Sequence, residues 1–202
     1  MLTYPSQGMI KSKDLKISSK EFQVFKIIIS ECNKEEIKKK LETISSNYKI
    51  NIHFLCFKNR IHYVILDITN KTYRDISKII DKLHKSENLN LNILSMNIET
   101  FSKLVINLSK RKWQLMSVMF QIIGDPQAEI EYEQITNDYL IKTGRVEDFL
   151  NFIHNAKILP SIIHFYKNGV SVDISITFWI RVLPFSEVIF EDLIQILRET
   201  LC

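Results

Sequence analysis

Glycine and proline are scarce: the 202 residues hold four of each. Phosphate-cradling loops need several positions at positive φ, which glycine supplies most easily, so such loops have almost nowhere to sit, and neither a P-loop nor a G-x-G-x-x-G is present. Cysteine is scarce as well. Cys32, Cys56 and Cys202 are odd in number and widely spread, with no C-x-x-C pair and no histidine at ligand spacing, which argues against a disulfide framework and a zinc site and predicts three free thiols. No cofactor or metal is expected. No run approaches eighteen apolar residues, and Met1 to Ser6 has no charged region leading into an apolar one, so the expectation is a cytosolic protein with no membrane partner. Net charge is only +4, short of the concentrated charge of a dedicated nucleic-acid binder.

What is present is a folded composition, 46% hydrophobic and 25% charged, enough for one large domain or two small ones. The strongest local pattern is Val170 to Val182, where apolar and polar residues alternate for thirteen positions. Asn168-Gly169 precedes it, the pair best suited to a type I′ turn, with Ile162 to Tyr166 on the other side. A long hairpin follows from this. Its second arm would extend about 40 Å, so a bend or bulge is anticipated along it.

Residues 1–20 are polar and lysine-rich and read as a tail or an added edge strand. From Glu21 onward the pattern gives a strand through Phe22 to Ile29, a cap at Asn33, and a helix carrying Ile37, Leu41 and Ile44. Two strands then flank Lys58-Asn59-Arg60, a second helix carries Ile76, Ile79, Ile80 and Leu83, and Leu89, Leu91 and Ile93 alternate. The order is βαββαβ over 21–98. Residues 99–128 connect: Trp113, Met116, Met119, Phe120 and Ile123 fit a helix while Leu115, Ser117, Met119, Gln121 and Ile123 also alternate as a strand, with helix favoured over 99–108 and strands afterwards, Ile130 and Tyr132 returning as a second arm. Residues 129–202 repeat the order: a strand through Tyr139 to Ile141, then Gly144, a helix from Val146 to Ile153, the Asn168-Gly169 hairpin and a last helix opened by Ser186 and Glu187. The predicted class is α+β, two tandem ferredoxin-like units with mainly antiparallel sheets.

A two-residue turn at Asn168-Gly169 pairs Lys167 with Val170, Tyr166 with Ser171, Phe165 with Val172, His164 with Asp173 and Ile163 with Ile174. His164, Asp173, Tyr166 and Ser171 then share a polar face. A histidine held by a carboxylate is the orienting half of general-base catalysis, yet opposed polar residues on a sheet are commonly surface pairs worth a few tenths of a kcal/mol. No catalytic residue is assigned. Farther along, Thr177, Trp179 and Arg181 place a ring beside a guanidinium, which suits a domain or dimer interface, an acidic ligand or a stacked base. In the first half both hairpin faces are apolar, so the sheet face that two helices leave bare must meet the second half or another chain. His53 and His62 read as satisfied core histidines. Lys110-Arg111-Lys112 is the better of two basic clusters for phosphate, since Lys34 to Lys40 alternates with glutamates on the wet side of a helix.

The order βαββαβ, used twice, resembles the ferredoxin-like regulatory modules, above all ACT-type domains and the related domains ending leucine-responsive regulators. Through Asn168-Gly169, Thr177-Phe178-Trp179 and the final helix, the stretch from Tyr139 to Leu197 is also similar to the sensory half of archaeal bacterio-opsin-activator-like regulators. The first resemblance implies pairing into dimers and a small effector bound near the loop between first strand and first helix. Glu31 to Lys34 lacks the glycine there. Thr143-Gly144-Arg145 keeps it, and Arg145 is placed to meet a carboxylate. The expectation is therefore a non-enzymatic regulatory or scaffold protein, a homodimer, binding a small acidic effector near Gly144 and Arg145. Two alternatives stand beside it: a single-stranded RNA-binding module of the duplicated kind in CRISPR repeat-processing nucleases, using Trp179, Arg181 and Lys110 to Lys112, and an enzyme on the His164 and Asp173 face.

Overall fold

The computed structural model describes residues 18–28, 34–58, 60–86 and 90–202. The expected tail up to residue 17, the Asn33 cap, the glycine-free loop from Glu31, Cys32 and Leu89 lie outside them. The first half follows its predicted order: β1 (Lys20–Ile28), α1 (Lys34–Tyr48), β2 (Ile52–Lys58), β3 (Ile61–Asp67), α2 (Tyr73–Ser86) and β4 (Asn90–Ile93). The second comprises α3 (Ile98–Lys110), β5 (Gln114–Met119), α4 (Pro126–Glu133) running into a π-helix (Gln134–Ile141), α5 (Val146–Ala156), β6 (Ile162–Lys167), β7 (Val170–Ser175), β8 (Trp179–Leu183) and α6 (Glu187–Leu201).

All eight strands form one antiparallel sheet in the order β2-β3-β1-β8-β7-β6-β5, with β4 also on β1. The protein is α+β. The two halves do not pack face to face, as their apolar hairpins suggested, but share the sheet edge to edge: β1 pairs β8 over Lys20 to Gln23 and β4 over Phe25 to Ile28. The second half also departs from the expected repeat. A ferredoxin-like order would set its first strand beside its third, whereas β5 pairs β6, β6 pairs β7 and β7 pairs β8 in sequence.

The Asn168-Gly169 hairpin has the derived register, from Lys167 opposite Val170 to Ile163 opposite Ile174. Its long second arm is two strands. After Ser175 the chain reverses through Ile176, Thr177 and Phe178, and β8 returns along β7 with Ile174 opposite Ile180. Phe178 takes a left-handed φ of 54°, a conformation that costs a non-glycine residue roughly 1–2 kcal/mol, while its side chain is fully buried. Its carbonyl accepts from Val24 N at 3.2 Å, and Ile176 O accepts from Met96 N at 2.7 Å. The turn therefore plugs the gap between β8 and β4 along β1. Alternation persists across it because the reversal spans an odd number of residues, which is why the sequence reads as one strand.

Tyr139 to Ile141, expected as a strand, lie in the π-helix, and Ile130 and Tyr132 lie in α4 rather than in a returning arm. Asp125 caps α4 by accepting from Ala128 N, with Pro126 following at the first turn. That helix closes the edge of β5. Glu129 accepts from Ile122 N at 2.5 Å, Glu133 from Phe120 N at 2.9 Å, and Asn137 bonds both Val118 N and Val118 O at 2.8 and 2.9 Å. Four helical residues rise about 6 Å and two strand residues about 6.7 Å, so side chains four apart stand in for a neighbouring strand.

One sheet face is covered end to end. Phe22, Val24 and Ile65 from the first half share a core with Ile163, Phe165, Val172, Ile174, Ile180 and Val182, roofed by α3, α5 and α6. Among the described residues the other face is covered only over the first half, where Phe25, Ile27, Val64 and Leu66 meet Ile37, Leu41 and Ile44 of α1 and Ile79 of α2. The C-terminal helix thus supplies the second cover that the apolar β2-β3 hairpin required. Arg198 of α6 donates to Leu55 O at 3.0 Å. Beside it Cys56 and Cys202, expected as free thiols, are joined as a disulfide with a Cα–Cα distance of 6.6 Å. The sequence separation of 146 residues hid this pairing.

His53 and His62 fall on opposite faces. His53 lies against the Phe190 ring with centroids 5.3 Å apart, and burial lowers its pKa. His62 is stacked on Phe57 with centroids 4.5 Å apart.

Candidate ligand pocket on the open half of the sheet

The half-face that α1 and α2 leave bare is ruled into cross-strand rows by the registers of β5 to β8. One row carries Gln114, Tyr166, Ser171 and Leu183, and the next Ser117, His164, Asp173 and Arg181, which β1 extends with Glu21. Beyond these, Met119 stands opposite Ile162 and Ile162 opposite Ser175. Each row exists because directly opposed residues in antiparallel strands project to the same face. A bulge between Leu115 and Ser117 brings Ser117 into line with His164.

Asp173 is the anchor of the second row. It is only 8% exposed, and a buried carboxylate is costly unless its oxygens are bonded. Oδ1 accepts from Nδ1 of His164, and Oδ2 accepts from Nε of Arg181 at 2.9 Å and from its Nη2. Held on Nδ1, the imidazole turns Nε2 away from Asp173. Both partners are half-exposed and fixed by one carboxylate.

This row forms one flank of a cavity of about 420 Å³ lined by Ser117, Val118, Met119, Ile162, His164, Asp173, Trp179 and Arg181. Trp179 closes one end: it packs against the α1/α2 core and also lines the cavity. The Arg181 guanidinium lies 5.9 Å from its ring centroid. Ser175 Oγ fixes the approach to the tryptophan by accepting from Trp179 N at 3.1 Å and Thr177 N at 3.2 Å.

Of the residues singled out in the sequence, His164, Asp173, Trp179 and Arg181 meet here. Thr177 lies in the turn, and Tyr166 lies one row away; neither lines the cavity. Ser117, Met119 and Ile162 were missed. The clue was that Leu115 and Val118 are three apart yet both buried, which signals the bulge that re-aims Ser117.

Gly144 and Arg145 lie elsewhere, at the turn between the π-helix and α5, in a shallow pocket of about 390 Å³ lined only by residues 144–148. Gly144 has φ 71° and Gly144 N donates to Ile141 O at 2.9 Å, so the glycine serves chain reversal after a helix. Arg145 Nε donates to Asp148 at 2.5 Å. Of the basic cluster, Arg111 is likewise engaged: it bonds Asp192 at 3.0 Å and Glu199 at 2.5 Å on α6. Trp113 Nε1 and Lys167 also donate to Asp192, at 3.0 and 2.6 Å. Burial by itself would raise the pKa of Asp192, but these three donors outweigh it and hold the carboxyl below its usual range.

A larger groove of about 1040 Å³ runs between α3 and α5 past Ile98, Ile106, Leu150 and Leu159. Every residue lining it is exposed or half-buried; it has no anchored polar group comparable to Asp173. Among the described residues no helix is long and apolar enough to cross a membrane, and no group of three His, Cys, Asp or Glu side chains could hold a metal ion. No protein-family model, no curated protein and no solved structure matches this chain.

Proposed function

We propose that the protein is a non-enzymatic regulatory module whose small acidic effector binds between Trp179, Arg181 and His164, rather than at Gly144 and Arg145. The observation that carries this reading is the shared anchor: Asp173 holds His164 and Arg181 side by side on one cavity wall. The outward N–H groups of Arg181 are matched to an anionic oxygen, and a guanidinium already fixed in place loses less freedom on binding. A cavity of about 420 Å³ suits a metabolite-sized ligand. Arg145, already paired with Asp148, gives no comparable advantage.

The test is a thermal-shift screen of carboxylates and phosphates, with short single-stranded RNA alongside. A stabilising small acid whose effect disappears in Arg181→Gln and persists in Arg145→Ala supports the reading. Stabilisation by RNA alone, weakening steeply with salt, would transfer the open face to the nucleic-acid alternative. The enzymatic alternative has the oriented His164–Asp173 pair and Ser117 across from it, but no hydrogen bond joins Ser117 to His164 among the described residues. A nucleophile needs that contact to be activated.

A further inference from the structure

The cavity has two unlike walls. Ser117, His164, Asp173 and Arg181 form a polar one, while Met119, Ile162 and Trp179 form an apolar one. Resting on the acidic-effector reading, we propose that the ligand is a planar aromatic carboxylic acid: its ring lies against Trp179 and Met119, and its carboxylate meets Arg181. A small aliphatic acid would use only the polar wall and leave the apolar one wet. A ligand without an anion would leave the held guanidinium unmatched.

Aromaticity is favoured over mere greasiness by what forms the apolar wall. Trp179 is immobilised by packing on the α1/α2 core, so it offers a flat surface at little entropic cost. Ring pairs gain attraction beyond what area burial alone supplies. Met119 is 54% exposed on the next row, and a thioether beside a ring adds a further favourable contact. Arg181, 5.9 Å from the indole centroid, lies close enough for one ligand to touch both the ring and the guanidinium.

The chain's two tryptophans make the test selective, because Trp113 is buried against Asp192 on the covered side of the sheet. Phenylacetate, cyclohexylacetate and acetate are titrated by calorimetry and by tryptophan fluorescence. The expected result is phenylacetate binding at least about tenfold more tightly than cyclohexylacetate, a free-energy difference of about 1.4 kcal/mol, with acetate weaker still and with phenylacetate changing the emission. Trp179→Phe should keep the affinity and lose most of the emission change; Trp179→Leu should lose the preference. Equal affinity for phenylacetate and cyclohexylacetate would overturn the aromatic assignment while leaving an acid-binding pocket in place. Failure of all three acids, with no other acid in the thermal screen stabilising the protein, would overturn both. An aromatic preference unchanged in Trp179→Leu would also overturn the assignment.

Discussion

The same sheet face is built in two ways on either side of β1. Over β2, β3, β1 and β4 it presents Phe25, Ile27, Val64, Leu66 and Leu91, all buried beneath α1 and α2. Over β5 to β8 it presents Gln114, Ser117, His164, Tyr166, Ser171, Asp173 and Arg181, with no described helix above them. Trp179 stands at the seam and belongs to both, packed on one core and lining the open cavity. Sheet pairing supplies the backbone of both halves, so the difference lies in side chains: one half is fastened by apolar burial, the other by hydrogen bonds converging on Asp173. A surface held in the second way keeps polar groups fixed without hiding them, which is what a binding face requires.

The comparison is sharpened most by Phe25→Ala. Phe25 is fully buried between β1 and the α1/α2 layer, and truncating a phenylalanine in such a site costs roughly 3–5 kcal/mol through lost burial and the cavity left behind. Urea unfolding should show this as a lower midpoint with little change in slope. A loss under about 1 kcal/mol would mean that the helical cover contributes far less than its burial implies.

Asp173→Asn probes the open half and should cost less, about 1–2 kcal/mol. The amide keeps the shape and some hydrogen bonding but loses the charge that Arg181 and His164 share, and both partners are exposed enough for water to compensate in part. Effector binding should fall further than stability does, because the variant releases the two donors that it held in place. A stability cost equal to that of Phe25→Ala would erase the contrast between the two halves.

Much of this was legible in the sequence because it depends on neighbours along the chain. The βαββαβ order of the first half, the helix from Ile98, and the Asn168-Gly169 register with His164 opposite Asp173 all follow from local periodicity and turn chemistry. What was hidden depends on partners far away. The reversal at Ile176 to Phe178 preserves parity, so alternation could not reveal it. Its left-handed phenylalanine is tolerated through backbone bonds to Val24 and side-chain burial. The π-helix at Tyr139 offered strand-like apolar neighbours, while the four-residue spacing of Glu129, Glu133 and Asn137 was the readable sign of a helix facing an edge. Cys56 and Cys202 meet only because α6 crosses the first half of the sheet. At the site, His164, Asp173, Trp179 and Arg181 were readable as residues of interest, but Ser117, Met119 and Ile162 depend on the β5-β6 pairing and its bulge.

The smallest effect is expected from Tyr166→Ala, and its size tests whether the open half is open in solution. Tyr166 is 41% exposed, one row from His164, and does not line the cavity. Removing a half-exposed ring from a sheet surface loses cross-strand contacts worth some tenths of a kcal/mol, so the change should stay within about 0.5–1 kcal/mol. Effector affinity should be unchanged. The decisive version compares thermal midpoints at two protein concentrations, because association of copies through this face would couple stability to concentration. If the midpoint of the unaltered protein rises with concentration and Tyr166→Ala removes that dependence, a second copy covers the face that the described helices leave bare. The homodimer expected from sequence would then be formed there, and the contrast between the halves would belong to the isolated chain alone. If neither protein shows the dependence, the polar rows face water, and the cavity beside Trp179 is reached directly from solvent.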